Sequence, residues 1–400
     1  MEREDLDGDG DGDGDGDGDG DGEIVVVEEE KSGERERERE RSVEEMGQEL
    51  KGTVALVTGA SRGIGKGIAR GLAEKGATVY VTARTVEKTR GKTGSLRQTV
   101  EEIEALGGVG RAVQCDHSKD EEVKQLFERI GRECGGTLDV LVNNATTIDS
   151  GKKFVAPFWE QGPEMWDAFH AVGLRSHYVA SCYAVPLLRK STRKPLVVNV
   201  SSFGGLAYTF NVAYSVGKGA LDRLTADMAI DLEPLGIACI SLWPGIVRTE
   251  RILELENKAG AGADADDKQE KDEMWSETKE FDLSKSESPL FSGRCVAALA
   301  MDTKESLMGM TGTIVVAAEA ASRYGIKDED GSQPWSIRSL PFALDYSIKV
   351  FPKALLNPLR NIHIPFGLFR KGKYLIERQE RKRLNVTSKS PFSNRSVKLR

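Results

Sequence analysis

Through the middle of the chain, short apolar runs alternate with longer segments whose apolar positions recur every three or four residues. The runs at 53–57, 78–82, 111–115, 138–142 and 198–200 are rich in β-branched residues and predict strands, several of them buried on both faces. The segments 66–75, 99–106, 120–134, 165–189 and 214–235 predict helices, and 292–302 with 313–317 predicts one more helix and a last strand. Strand and helix alternating in this way means parallel βαβ units, so the fold class is α/β, a doubly wound parallel sheet.

The two ends break this pattern. Residues 7–22 repeat Asp-Gly eight times and 34–41 alternate Glu and Arg, so 1–49 has nothing to bury and is expected as a disordered acidic tail. The Asp-Gly run lacks the spaced ligands and closing Glu of a calcium loop, and no metal site is expected. Residues 1–50 carry 22 acids against 6 bases, whereas 335–400 carry 15 bases against 3 acids. The net charge of −8 therefore hides opposite ends around an ordinary centre. The expected division is a tail at 1–49, one domain at 50–325 and a basic aromatic extension at 326–400.

Five scattered cysteines, odd in number and without a Cys-x-x-Cys pair, read as reduced intracellular thiols. The start of the chain lacks a signal peptide's basic and apolar regions, and no apolar run reaches 18 residues. An intracellular place, in the cytoplasm or at the endoplasmic reticulum membrane surface, is expected. Trp335, Phe342, Phe351, Phe366 and Phe369 interleave with bases and prolines, a composition that suits peripheral membrane contact through 335–376. Nucleic acid is not expected as a partner.

Candidate chemistry lies at the strand ends. Thr58-Gly59-Ala60-Ser61-Arg62-Gly63-Ile64-Gly65 joins a predicted strand to a predicted helix. Glycines there let the backbone approach a pyrophosphate, and the helix N-terminus offers unpaired N–H groups. The second strand ends in Thr82-Ala83-Arg84, with no acid for a ribose hydroxyl. Arg84 with Arg62 could instead pair with a 2′-phosphate, which points to NADP(H). Asp116 and Asn143 end later strands and would lie along the same crevice.

Tyr214 and Lys218 stand four apart on one predicted helix face, and Ser201 and Ser202 end the strand before them. A nearby ammonium favours the phenolate, which would make Tyr214 a usable general acid or base while a serine holds the substrate oxygen.

Together these motifs resemble the short-chain dehydrogenase/reductase family, with Asn143-Asn144-Ala145 and Pro244-Gly245-Ile246-Val247-Arg248-Thr249 in the family's order and spacing. The resemblance covers about 50–325 and implies a Rossmann-like fold. It implies Tyr214 as the catalytic acid or base, with Lys218 binding the nicotinamide ribose and lowering the Tyr214 pKa. It implies Ser202 on the substrate carbonyl, with Ser201 as the rival. Gly59, Ser61, Arg62, Gly63, Ile64, Gly65, Arg84, Asp116 and Asn143 would shape the cofactor site, with Val247 and Thr249 at the carboxamide.

The family's catalytic Asn on the long central helix aligns with Gly173, which puts its proton relay in doubt. Residues 251–290 fall where the family keeps a substrate loop, expected as a mobile lid. The implied activity is NADP(H)-dependent interconversion of a ketone and a secondary alcohol, of the steroid or xenobiotic kind, by a homo-oligomer. The competing reading is an inactive NADP(H)-binding sensor or membrane-associated scaffold. His170 and His177, seven apart, cannot close on one ion and are expected in packing.

Overall fold

Seven parallel strands in the order β3-β2-β1-β4-β5-β6-β7 carry the described chain. The computed structural model describes residues 47–88, 93–147, 154, 156–260, 283, 286–340, 357–360 and 362–365. By internal contacts the chain divides into Met1–Gly47 and Gln48–Arg400, and the sheet and its helices belong to the second unit. The expected acidic tail, up to residue 46, most of the 251–290 loop and most of the C-terminal extension lie outside the described residues.

The first half runs β1 (Val54–Thr58), α1 (Gly63–Ala73), β2 (Thr78–Ala83), α2 (Leu96–Ala105), β3 (Val109–Gln114) and α3 (Asp120–Glu133). The chain steps outward from β1 to β3 and then returns to lay β4 (Val140–Asn143) on the other side of β1. That reversal opens a crevice at the carboxyl ends of β1 and β4, where sheets of this kind hold ligands.

The second half runs α4 (Pro163–His170), a π-helical turn at Ala171–Arg175, α5 (Ser176–Leu188), β5 (Leu196–Val200), α6 (Val212–Leu232) and β6 (Ala238–Trp243). It closes with α7 (Glu250–Gly260), α8 (Pro289–Met301), α9 (Lys304–Gly309), β7 (Ile314–Val316) and α10 (Ala317–Tyr324).

Strand burial follows position in the sheet. The inner strands β4, β5 and β6 are buried at every residue, while β3 at one edge buries only Gly110 and Val113. Along β1, Ala55 and Val57 face a core shared with α1, α2 and α8, and Leu56 faces one shared with α3 and α5. Alternate side chains of one strand thus anchor two helix layers, as the pleat requires.

Three departures from the sequence reading bear on the site. Ala238–Trp243 forms a strand that the sequence pattern does not predict, because Ala, Cys and Ser dilute its apolar run. The long helix expected at 165–189 carries a π turn around Gly173. And the chain beyond 325 is not all peripheral: Ile337 is 2% exposed and packs with Trp243 and Val316. Arg338 grips Glu319 with two hydrogen bonds, at 2.8 and 2.6 Å, and Ser336 donates to the same carboxylate at 2.7 Å.

Candidate functional site

The glycine turn after β1 is sewn to the end of β4. Thr58 Oγ1 accepts the amides of Asn144 (2.9 Å) and Ala145 (3.0 Å), and the Asn144 side-chain amide donates to the carbonyls of Thr58 (2.8 Å) and Gly59 (3.1 Å). Only glycine fits where these segments touch. A Cβ on Gly59 would lie 2.7 Å from Ala145 Cα, and one on Gly65 would lie 2.3 Å from the Asn144 amide nitrogen. Gly59 also has a φ of +67°, in the left-handed region.

Over this turn lies a cleft of about 560 Å³. Gly59, Ser61, Arg62, Gly63, Ile64 and Gly65 form its floor at the N-terminus of α1. Arg84 and Thr85 from the end of β2, Cys115, Asp116 and His117 after β3, and Asn144 to Thr147 after β4 form its sides, with Thr249, Glu250 and Arg251 at the start of α7. Arg62 and Arg84 are exposed and hold no ion pair among the described residues. The N-terminus of α1, backbone brought close by glycine and the guanidinium groups of Arg62 and Arg84 fit a phosphorylated dinucleotide.

Two expected cofactor residues are placed elsewhere. Asn143 is fully buried, and its amide reaches Asn199 Oδ1 (3.0 Å) and Ser181 Oγ (3.1 Å) behind the crevice. Its neighbour Asn144 is the one on the cleft wall. Val247 is 7% exposed, pairs with Glu287 through a backbone bridge and is absent from the wall.

The second group gathers at the neighbouring strand end. Ser202 Oγ lies 3.0 Å from Tyr214 Oη. Ser201 is turned inward instead, its hydroxyl donating to the Lys218 carbonyl at 3.3 Å. Lys218 Nζ donates to the Val200 carbonyl at 2.9 Å and lies 5.9 Å from the centre of the Tyr214 ring. Asn211 fixes the start of α6 by accepting the Tyr214 amide at 2.8 Å and donating to the Phe154 carbonyl at 2.9 Å. Before it, Phe210 has a φ of +58°, the one positive value on a non-glycine among the described residues. Such backbone is costly and persists at sites that need it. Here it sets the Phe210 ring 5.2 Å from the Tyr214 ring.

The Tyr214 phenol stands above its ordinary value, not below it as expected with Lys218 nearby. Loss of solvent raises the phenol above its ordinary value, the Ser202 hydrogen bond opposes that rise, and the Asp222 charge adds to it. Phe169 (5.8 Å) and Phe210 against the ring account for the missing water. Lys218 is itself desolvated and pushed down to about 8, against the pull of Asp222. Asp222, one turn further along α6, accepts hydrogen bonds from Ser241 (2.6 Å) and Trp243 (3.0 Å) and ties α6 to β6. An acid inside a helix gave no signal of that role in the sequence.

Gly173 lies buried in the π turn, where a Cβ would sit 3.0 Å from Thr146 Oγ1 on the cleft wall. The two histidines diverge: His177 reaches the Ala145 carbonyl at 3.0 Å, and His170 meets Trp166 edge to face, with ring centres 3.9 Å apart and planes at 72°.

Comparison with known proteins matches residues 53–260 to the short chain dehydrogenase family model. The chain is similar to Dehydrogenase/reductase SDR family member 1 of Mus musculus, 44% identical over 74% of this chain and 89% of the relative. The Homo sapiens protein of the same name is 41% identical over 75% and 91%. A solved metagenomic short-chain oxidoreductase in complex with NADP is 28% identical, with a TM-score of 0.50 over 67% of this chain and 97% of that one.

Proposed function

This chain belongs to the short-chain dehydrogenase/reductase family, a family of oxidoreductases that use nicotinamide cofactors, and from that premise we propose an NADP(H)-dependent reductase of apolar ketones. The observation that carries the reading is the 3.0 Å contact between Ser202 and Tyr214, beside Lys218, at the carboxyl end of the sheet that also bears the glycine cleft.

The cofactor, when bound, supplies or accepts a hydride at its nicotinamide ring. Gly59 to Gly65 and the first amides of α1 hold its pyrophosphate, and Arg62 and Arg84 meet the 2′-phosphate. Thr249, on the same wall, would meet the carboxamide of the nicotinamide. The absence of an acid after β2 and the NADP complex of the metagenomic relative favour NADP(H) over NAD(H).

Ser202 and Tyr214 together present two hydroxyls to one substrate oxygen. In reduction Tyr214 gives its proton to that oxygen, and in oxidation it takes the proton back. The raised pKa suits the acid role, since the phenol stays protonated through neutral pH. Lys218, pushed down to about 8 by burial, still carries a proton at neutral pH and holds it less tightly, so it can return one toward Tyr214 from the floor of the site. Both reacting partners need alignment within about 3–3.5 Å, which the fixed Ser202 and Asn211 contacts promote.

Met165 and Phe210 next to Tyr214 favour an apolar substrate, a ketone of the steroid or xenobiotic kind. The test is consumption of NADPH, and of NADH in parallel, against a panel of steroid and aryl ketones. NADPH-dependent turnover of one of them supports the reading. A wild-type protein that binds NADPH and turns over nothing supports the sensor instead.

A further inference from the structure

Glu250 opens α7, and its side chain reaches back across the cleft to α1. Its Oε2 accepts the Gly63 amide at 2.7 Å, and its Oε1 pairs with Lys66 Nζ at 3.0 Å. Gly63 is the first residue of α1, so this amide is one that the helix leaves without an internal partner. Lys66, one turn on, is shared with Glu102 at 3.2 Å. A carboxylate of the chain therefore occupies the attractive end of the helix on which the proposed cofactor must lay its phosphates.

The contact is built from more than one residue. Thr249 Oγ1 accepts the Ile252 amide and so caps α7 beside Gly63, whose added Cβ would meet the Thr249 methyl at 3.4 Å. One turn into α7, Glu254 accepts a hydrogen bond from Thr93 before α2. The start of α7 is thus pinned at two points to the elements that frame the cleft.

We propose that Glu250 is a tethered anion standing in for the dinucleotide pyrophosphate at α1, so that cofactor binding displaces it and is weakened by having to do so. The proposal rests on the reading of the cleft as the cofactor site. One N–H cannot serve two anions at full strength, and like charges side by side repel. Apparent affinity then falls by the fraction of molecules in which Glu250 has left the amide. The contact also couples the cofactor to the start of α7, since Glu250 cannot stay on Gly63 once a phosphate takes its place.

Glu250→Gln in the full chain tests this, with Glu250→Asp, one methylene shorter, as the milder variant. Two measurements are made without any substrate: NADPH affinity by fluorescence titration, and the melting temperature with and without inorganic pyrophosphate. The Gln variant is expected to bind NADPH about tenfold tighter or more, with Asp in between. It is also expected to melt lower than wild type when ligand-free, having lost a carboxylate at a helix N-terminus, and to gain more from pyrophosphate. Equal or weaker NADPH binding by folded Gln and Asp variants overturns the proposal while leaving the cleft as the cofactor site. Failure of wild type and variants alike to bind NADPH and pyrophosphate removes the cleft reading, and this inference with it.

Discussion

Ser202 and Tyr214 are twelve residues apart in the chain and 3.0 Å apart through their hydroxyls. Each is set by a different element. Ser202 follows the end of β5 and holds the Gly204 amide at 3.1 Å, while Tyr214 lies in the first turn of α6 under the Asn211 cap. The pair survives only while both frames hold, so its pH behaviour reports on the geometry.

The Ser202 hydrogen bond pulls the Tyr214 pKa down against desolvation. Alcohol oxidation needs the phenolate, so its rate should climb along an alkaline limb. Replacing Ser202 by Ala removes a group that favours the phenolate and should move that limb to higher pH. Profiles of kcat against pH for wild type and Ser202→Ala make the comparison. A limb that stays put or moves down contradicts the assigned contact.

Cofactor choice should rest on the two free arginines of the cleft. Changing Arg62 and Arg84 to Ala together should raise the Kd for NADPH by roughly 10- to 100-fold, as expected for lost charged hydrogen bonds, and leave NADH almost unaffected. Calorimetric titration with each cofactor reads this directly. Equal losses for both cofactors would mean the arginines serve the fold or the pyrophosphate instead.

Glu287 supplies a stability test outside the reacting groups. It is 2% exposed, its carboxyl lies against Gly245, and burial pushes its pKa up to about 8, with Asp328 adding to the rise and Arg248 and Gly245 opposing it. The folded chain keeps this proton up to about pH 8, whereas the unfolded chain releases it near 4.5. Stability from this group is therefore full below pH 4.5 and is lost as pH rises toward 8. Glu287→Gln stays neutral throughout. Its stability relative to wild type should rise between pH 5 and 8 by on the order of 1 kcal/mol or more. Urea unfolding at both pH values decides it, and parallel profiles would refute the buried, protonated carboxyl.

Ile337 joins the C-terminal segment to the domain. Ile337→Ala should cost roughly 2–5 kcal/mol, the range for emptying a packed core position. Because Phe203 and Leu206 line the same nest just after Ser202, the variant should also raise KM for an apolar ketone. A loss under about 1 kcal/mol with KM unchanged would show that the extension merely rests on the surface.

Much of this was legible in the chain. The β-branched runs gave the sheet, and the glycine turn between strand and helix gave the cleft floor. Other features depend on partners far away in sequence. Two identical neighbours, Asn143 and Asn144, take opposite directions because side chains alternate along a strand and β4 ends between them. The rise in the Tyr214 pKa comes from burial, with Phe169 on α4 and Phe210 against the ring, and from the Asp222 charge, none of them marked by the Tyr-x-x-x-Lys motif. Nothing in the chain marks Glu250 or Ile337, because their partners Gly63 and Trp243 are brought to them only by the fold.

The central claim, that Tyr214 moves the proton, is tested most directly by Tyr214→Phe assayed with NADPH and a ketone that the wild type reduces. Turnover should fall by about 10²- to 10⁴-fold, as for loss of a general acid, while the Kd for NADPH stays within about threefold of wild type. Near wild-type turnover by the phenylalanine variant would contradict the account.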